Sequence, residues 1–224
     1  SPELLARKNE VCYADFTGVI MTSNNEVTGV ILAGGMSRRL GRNKALELVG
    51  GHPLIERVIE RVGSVAGRVL AVVNDEQRAL ELGLPSEVDS VVDEYPDTGA
   101  LGGIYTGLST AATPWVLVVA CDMPFLNKKL LRHLLEHRQN SDAVVPILDG
   151  RPEPTHAAYS KVCIPHIRSK IENRQLKISG FFDDVTVNCV PQQEVERFDP
   201  HRLSFFNVNT PDDLDRANRH ADEH

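Results

Sequence analysis

Short apolar runs alternate along the chain with longer segments in which apolar residues recur at helical spacing. The runs with strand character occupy residues 27–33, 68–73, 90–93, 115–120, 142–148, 156–160, 185–190 and 205–208. The helical patterns occupy residues 53–66, 99–112 and 127–139, with a short helix before residue 90, one within 161–190 and a final helix after Thr210. This alternation predicts a single α/β domain with a mostly parallel, twisted sheet flanked by helices.

The run WVLVVA at 115–120 is the most apolar in the chain, so we expect it to form the central, doubly buried strand. It stops shortly before Asp122, and ligands of parallel sheets bind at the carboxyl ends of the strands. The final helix has a clear start, because Thr210 suits the N-cap and Pro211 the first helical position, while Asp213 favours the positive end of the helix dipole. The pattern thus predicts both the middle of the sheet and the last element.

The chain has 224 residues, which suffices for one sizeable α/β domain but is short for two. Its formal net charge of -7 argues against binding to nucleic acid or to a membrane surface, since both need an excess of Lys and Arg. No run approaches the ~20 apolar residues of a membrane-spanning helix. The four cysteines are far apart and form no C-x-x-C pair, which suits the reducing cytoplasm. We therefore expect a cytoplasmic protein.

Residues 1–26 show no clear pattern, and they lack the basic start and apolar core of a signal peptide. Met21 stands just ahead of the first predicted strand, and we hypothesise that natural translation begins there. We expect residues 1–26 to be an N-terminal arm that is disordered or not native, and residues 27–224 to form the domain.

The first predicted strand ends in a glycine-rich segment with the spacing G-G-x5-G-x2-K, from Gly34 to Lys44. This spacing matches neither a Walker A loop nor G-x-G-x-x-G. Glycine amides can nevertheless turn towards an anion, and Arg39 and Lys44 can neutralise phosphate oxygens. The alternative is a tight strand-to-helix turn with solvated arginines.

The order L-A-G-G, then S-R-R-L-G, then K resembles the signature L-[AG]-[AG]-G-x-[SG]-x-R-[ML]-G-x-x-K of the nucleotidyltransferases. Within that superfamily the chain is most similar to the molybdenum cofactor guanylyltransferase family, from about residue 27 to 220. The resemblance implies the Rossmann-like fold of the nucleotide-diphospho-sugar transferases. It also implies that the nucleotide contacts Leu32, Ala33, Gly34, Gly35 and Lys44.

Other stretches match the same family. Asn74 matches an asparagine that contacts the nucleotide, Asp93 matches an aspartate on the nucleoside side, and Asp122 matches the metal-binding aspartate. The segment FFNVNTPDDL, which contains Asn209, closely matches N-V-N-T-P-E-D-L. The chain departs from the family at Ala100, where a proline is usual. By itself, Asp93 would be an ordinary turn residue at the end of a strand.

The resemblance implies transfer of GMP from GTP to molybdenum-bound molybdopterin, with release of pyrophosphate. Such a reaction needs charge neutralisation and alignment, so we expect Arg39, Lys44 and Asp122 to be catalytic. Mg²⁺ would be held by Asp122 and Asn209. The alternatives are an N-cap role for Asp122 in the following helix and a turn or cap role for Asn209.

The predictions of which base is bound and which acceptor is used rest on fewer residues. Leu-Ala-Gly-Gly at 32–35 favours guanine, because related cytidylyl enzymes have alanine at the position of Gly34. Residues 151–180 are rich in basic groups, and the family receives the pterin and its phosphate there. Arg174 and Lys177 could pair with the acceptor phosphate. A solvated basic loop is the alternative.

The segment HLLEH, from His133 to His137, fits the H-x-x-E-H pattern of inverzincin metalloproteases. The leucines around it define a buried helix face, which places both histidines on the flank. No clear third ligand follows in the sequence, so we do not expect a protease.

The resemblance divides the domain into a GTP-binding part, 27–125, and an acceptor-binding part, 126–224. Expected partners are GTP and molybdenum-molybdopterin, together with cofactor insertion proteins and apo-enzymes. Three alternatives stay open: a cytidylyltransferase, a guanylyltransferase for another acceptor such as adenosylcobinamide phosphate, and a carrier that binds nucleotide or cofactor without catalysis.

Overall fold

The computed structural model describes residues 13–14, 20–21, 26–34 and 44–222. Most of the predicted N-terminal arm therefore lies outside the described residues, as do Gly35 and Arg39 of the glycine segment. Two short strands before the domain, Tyr13–Ala14 and Ile20–Met21, pair antiparallel with each other.

One sheet organises the described domain. Its strands are β1 (Val27–Leu32), β2 (Arg68–Val73), β3 (Val88–Val92), β4 (Trp115–Ala120), β5 (Ala143–Leu148), β6 (Arg151–Pro152), β7 (His156–Ser160) and β8 (Val187–Val190). The order is β6-β5-β7-β4-β1-β2-β3, with β8 added beside β5. Strands β4, β1, β2 and β3 are mutually parallel, whereas β7 runs antiparallel to both β4 and β5. The predicted, mostly parallel sheet is confirmed, and its central strand is the predicted one.

Helices cover both faces of this sheet. They are α1 (Leu54–Gly63), α2 (Glu76–Leu82), α3 (Ala100–Thr110), α4 (Lys128–Glu136), α5 (Ile164–Glu172), α6 (Gln192–Phe198) and α7 (Pro211–Asp222). Helices α1, α4 and α6 pack in one apolar layer, and α3 and α5 pack in the layer on the opposite face. Strand β4 serves both layers, since alternate residues of its fully buried Val116–Val119 segment face opposite ways.

Glycines let α3 lie close against the sheet. A methyl group on Gly107 would approach Val30 of β1 to 2.6 Å, and one on Gly103 would approach Leu32 to 2.9 Å. Both distances are shorter than normal carbon contacts, so these positions need glycine for packing. Segment 99–112 forms a helix in spite of its glycines, as its pattern predicts.

The last helix packs against an early part of the chain. A small hairpin, Leu48–Val49 with His52–Pro53, precedes α1. Val49 and Leu54 form a separate apolar cluster with Val208 and with Ala217 of α7. Asn218 of α7 also accepts a hydrogen bond from Gly50 N at 3.0 Å. Helix α7 and the hairpin before α1 are thereby joined.

One predicted element is wrong, and one element was not predicted. Residues 205–208 form no strand, because the chain there passes from a 3₁₀ turn, Leu203–Phe205, into an irregular segment that never enters a ladder. The sequence pattern also gives no sign of α6, a seven-residue helix whose buried apolar residue is Val195.

Candidate active site

Four neighbouring parallel strands end at one edge of the sheet, and a residue predicted for the site follows each of them. Ala33 follows β1, Asn74 follows β2, Asp93 follows β3, and Asp122 lies two positions beyond β4. Backbone hydrogen bonds from Ala33 and Asp93 to β2 keep these positions in line with the sheet. Leu32, the last residue of β1, is partly buried at the same edge.

Lys44 meets two of the other predicted residues at this edge. Its Nζ atom lies 2.6 Å from Asp122 Oδ2 and 2.6 Å from Asn209 Oδ1. The lysine begins the 3₁₀ turn Lys44–Leu46 and is 8% exposed, which is low for a charged side chain. Residues separated by 78 and 165 positions in the sequence thus share one point of contact.

Asn209 does not follow a strand, and two local sets of hydrogen bonds place it beside Lys44. The preceding residue, Val208, donates its N–H to the carbonyl oxygen of Asp122 at 3.0 Å. The following residue, Thr210, caps α7, because its Oγ1 accepts from Asp213 N at 3.2 Å while Asp213 Oδ2 accepts from Asn209 N at 3.1 Å. This reciprocal cap fixes the backbone on both sides of the Asn209 side chain.

The oxygen donors at this edge fit a hard divalent cation. Asp122 Oδ1 is buried and has no hydrogen-bond partner among the described residues, and Asn209 Oδ1 lies close to the same carboxylate through Lys44. Burial and the charge of Asp122 raise the pKa of the adjacent Cys121 to about 12, so this thiol stays protonated and is a poor ligand. Carboxylate and amide oxygens are the ligands that Mg²⁺ prefers.

Asp122 does not cap the helix that follows it. The N-cap of α4 is Asn127, whose Oδ1 accepts hydrogen bonds from Lys129 N at 2.9 Å and Leu130 N at 3.2 Å. The capping alternative for Asp122 is therefore wrong, and its carboxylate contacts Lys44 instead of the start of α4.

Gly34 and Asn74 are in tight contact. A methyl group on Gly34 would overlap Asn74 Oδ1 and would lie 3.4 Å from the backbone nitrogen of Asn74. Glycine at this position thus permits the observed orientation of the asparagine side chain.

Asp93 has a structural role at the start of its loop. Its Oδ1 accepts hydrogen bonds from Thr106 Oγ1 at 2.8 Å and from Tyr95 N at 3.0 Å, the second of which forms an Asx turn. Its Oδ2 accepts no hydrogen bond from a described residue, so one oxygen remains available to a ligand.

Arg78 is a residue at this edge that the sequence does not reveal. It is 7% exposed, its Nε donates to the carbonyl oxygen of Ala33 at 3.2 Å, and its Nη2 is buried without a partner in the described part of the chain. Asp75 caps α2 by accepting from Arg78 N at 2.7 Å, which sets the helix at this position. An N-terminal helix position usually faces solvent, so only the packing shows that this guanidinium binds the carbonyl oxygen of Ala33.

The two predicted acceptor residues are exposed and lie after α5. Arg174 has a positive φ of 58° and lines a cavity of about 380 Å³ together with residues 94–98. Lys177 precedes the 3₁₀ helix Ile178–Asp184. One of the basic residues nearby already forms an ion pair, since Lys170 lies 2.8 Å from Asp184.

Known proteins similar to this chain agree in type. Residues 29–184 match the family model of the MobA-like NTP transferase domain. A protein of Pelotomaculum thermopropionicum, named as a probable molybdenum cofactor guanylyltransferase, is 39% identical over 86% of this chain and 92% of its own length. A molybdenum cofactor guanylyltransferase of Desulfosudis oleivorans is 32% identical over 85% of this chain and 94% of its own.

Solved structures show the same architecture. The crystal structure of molybdopterin-guanine dinucleotide biosynthesis protein A from Archaeoglobus fulgidus superposes with a TM-score of 0.78 at 31% identity, covering 88% of this chain and 100% of that one. A 4-diphosphocytidyl-2C-methyl-D-erythritol synthase from Anaerococcus prevotii, at 18% identity and a TM-score of 0.64, shares the fold, with 88% of this chain and 96% of that one covered. None of the helices in the described residues has the length and apolar character to cross a membrane. The chain therefore belongs to the MobA-like NTP transferase family, with its nucleotidyltransferase type of Rossmann-like fold.

Proposed function

We propose that this protein transfers GMP from GTP to the phosphate of molybdenum-molybdopterin, forming the guanine dinucleotide cofactor. The observation that carries the proposal is the contact of the Lys44 ammonium with Asp122 and Asn209 at the carboxyl edge of the sheet. The names of the similar proteins supply the substrates. The product would pass to cofactor insertion proteins and apo-enzymes.

In the proposed reaction an acceptor phosphate oxygen attacks the α-phosphorus of GTP. A new P–O bond forms, the bond to the bridging oxygen of the β-phosphate breaks, and pyrophosphate leaves with the electron pair. Lys44 would donate from its ammonium to the phosphate oxygens on which charge builds, together with Arg39. No covalent protein intermediate is required.

Asp122 and Asn209 would hold Mg²⁺ through their side-chain oxygens. When bound, the ion neutralises phosphate charge and aligns the groups that react. Asp122 comes from the proposed GTP-binding part, 27–125, and Asn209 from the acceptor part, 126–224, so both parts contribute to one metal site.

The nucleoside would lie over Leu32, Ala33, Gly34 and Gly35, beside Asn74 and the unpaired oxygen of Asp93. The acceptor would approach from the side of Arg174 and Lys177. The Gly34–Asn74 contact supports a need for glycine at position 34, since alanine would displace an asparagine that would contact the nucleotide.

The test is incubation with Mg²⁺, GTP and molybdenum-molybdopterin, with the product identified by mass. We expect the guanine dinucleotide and one pyrophosphate per product, and no product when CTP replaces GTP or when adenosylcobinamide phosphate replaces the pterin. Asp122→Asn should bind GTP but not turn over. Tight binding without any pyrophosphate release would indicate a carrier, and normal turnover by a folded Asp122→Asn protein would refute the metal assignment.

A further inference from the structure

His133 of α4, His137 just past the end of α4 and Glu194 of α6 form a cluster that the proposed reaction does not use. His133 Nε2 lies 2.5 Å from Glu194 Oε1, and His137 Nε2 lies 3.5 Å from the same oxygen. One possible ligand atom from each residue lies within 4.8 Å of the other two. We call these three residues the α4–α6 cluster.

The ring of His137 is already oriented for binding a metal. His137 Nδ1 lies 2.8 Å from the carbonyl oxygen of His133. A carbonyl can only accept, so Nδ1 carries the hydrogen, and in the neutral ring Nε2 presents its lone pair towards the cluster. The His133 ring contacts the rings of His137 and Phe198, at centroid distances of 4.1 and 4.5 Å.

Access to the cluster is also suitable. The side chains of His133, His137 and Glu194 are 14%, 37% and 27% exposed. They are thus anchored in the protein, while water can reach the remaining coordination positions. Glu136, the acid of the H-x-x-E-H pattern, is exposed and does not belong to the cluster. The third candidate ligand, absent from the sequence pattern, is Glu194 from a different helix.

We propose that the α4–α6 cluster binds one first-row transition-metal dication of the Zn²⁺ class through two imidazole nitrogens and one carboxylate. In a tetrahedral site with bonds of about 2.0–2.1 Å, ligand atoms lie about 3.3 Å apart. The separations of 2.5 and 3.5 Å lie on either side of that value, and the 4.8 Å limit exceeds it by about 1.5 Å, which side-chain rotation can supply. Imidazole ligands select Zn²⁺, Ni²⁺ or Cu²⁺ over Mg²⁺, unlike the oxygen donors at Asp122.

The bound ion would strengthen the contact that His133 of α4 already makes with Glu194 of α6. At present Asn127, the N-cap of α4, donates to the carbonyl oxygen of Phe198 at the end of α6 at 2.8 Å. The metal would add a link about two to three turns further along, at His133 and His137. Its role is therefore to stabilise this helix pair, not to take part in nucleotidyl transfer.

The test is calorimetric titration of the full chain with Zn²⁺ in buffer that contains excess Mg²⁺. We expect one Zn²⁺ per chain at this site, and at least about tenfold weaker binding in His137→Gln and in Glu194→Gln. Glu136→Gln is the matched control on the same helix, and Cys189→Ser controls for an exposed thiol; both should bind as the unchanged protein does. The melting temperature should rise with Zn²⁺ and should stop rising in His137→Gln.

Circular dichroism and GTP binding check that each variant is folded. If His137→Gln is unstable, His133→Gln and the absorption of four-coordinate Co²⁺ provide the same test. Equal Zn²⁺ affinity in all cluster variants would overturn the proposal and leave an ordinary His–Glu hydrogen bond. Loss of binding only in Asp122→Asn would place the ion at the sheet edge and overturn it equally.

Discussion

In the structure the ammonium of Lys44 occupies the space between two oxygens that would hold Mg²⁺. A free metal ion must therefore compete with the lysine for Asp122 Oδ2 and Asn209 Oδ1, each 2.6 Å from Nζ. Replacing Lys44 by methionine keeps an unbranched side chain that is one atom shorter, and it removes both the charge and the donors. We expect Lys44→Met to bind Mg²⁺ more tightly without nucleotide, and to bind GTP more weakly.

The size of the change follows from the lost contacts. A hydrogen bond to a charged group contributes about 1.5–3 kcal/mol. If the ion pair with Asp122 is taken as the dominant contact that Mg²⁺ no longer has to displace, the Mg²⁺ affinity should rise about tenfold to 100-fold. GTP should lose a comparable amount through its phosphates. The free energy of unfolding should fall by up to about 3 kcal/mol, the low end for breaking a buried pair, since the Asp122 side chain keeps 17% exposure.

Calorimetric titration with Mg²⁺ alone, and then with GTP, measures both affinities. Lys128→Met is the matched control, because Lys128 pairs with Glu60 at the same 2.6 Å but on the surface, away from the sheet edge. It should change neither affinity. Unchanged or weaker Mg²⁺ binding in Lys44→Met would show that the ion does not use these oxygens, and the competition argument would fail.

Three further results are expected. Gly34→Ala should lower GTP affinity about tenfold by displacing Asn74, and it should have little effect on urea unfolding. Gly107→Ala should instead lower the free energy of unfolding by up to about 2 kcal/mol and leave GTP affinity intact. The reverse pattern would contradict the packing. Asp213→Ala should cost about 1 kcal/mol and reduce turnover, because the cap also holds Asn209; normal steady-state rates would disprove that link. Burial lowers the pKa of His156 from 6.5 to about 4, so its unfolded form binds the proton first as pH falls. The contribution of neutral His156 to the free energy of unfolding should be fully present above pH 6.5 and should decline by on the order of 3 kcal/mol down to pH 4. His156→Leu should flatten this decline in urea melts.

Periodicity predicts those elements that bury a regular face. Strand β4 and helix α4 lie within a few residues of their predicted bounds. The β-branched residues of β4 and the paired leucines of α4 each form a regular apolar face that must be buried. Segment 205–208 has the composition of a strand, yet its backbone is held by turns and by the hydrogen bond from Val208 N to the carbonyl oxygen of Asp122. Apolar content alone does not distinguish these two outcomes.

The candidate site divides in a similar way. Lys44, Asp122 and Asn209 are predicted from their motifs, but their mutual contact depends on the order of strands in the sheet. Arg78 and Glu194 carry no motif at all, since each gains its place from a helix packed against a distant part of the chain. Spacing in the sequence contains no information about such contacts.

The packing of α7 against the hairpin that precedes α1 also affects how the site is built during synthesis. Asn218 and Ala217 hold the segment near Gly50, and the cap of the same helix presents Asn209 to Lys44. A nascent chain on the ribosome therefore cannot complete its phosphate pocket until the final helix has emerged. Prematurely terminated products would lack that pocket, and a fusion tag should be separated from α7 by a flexible spacer.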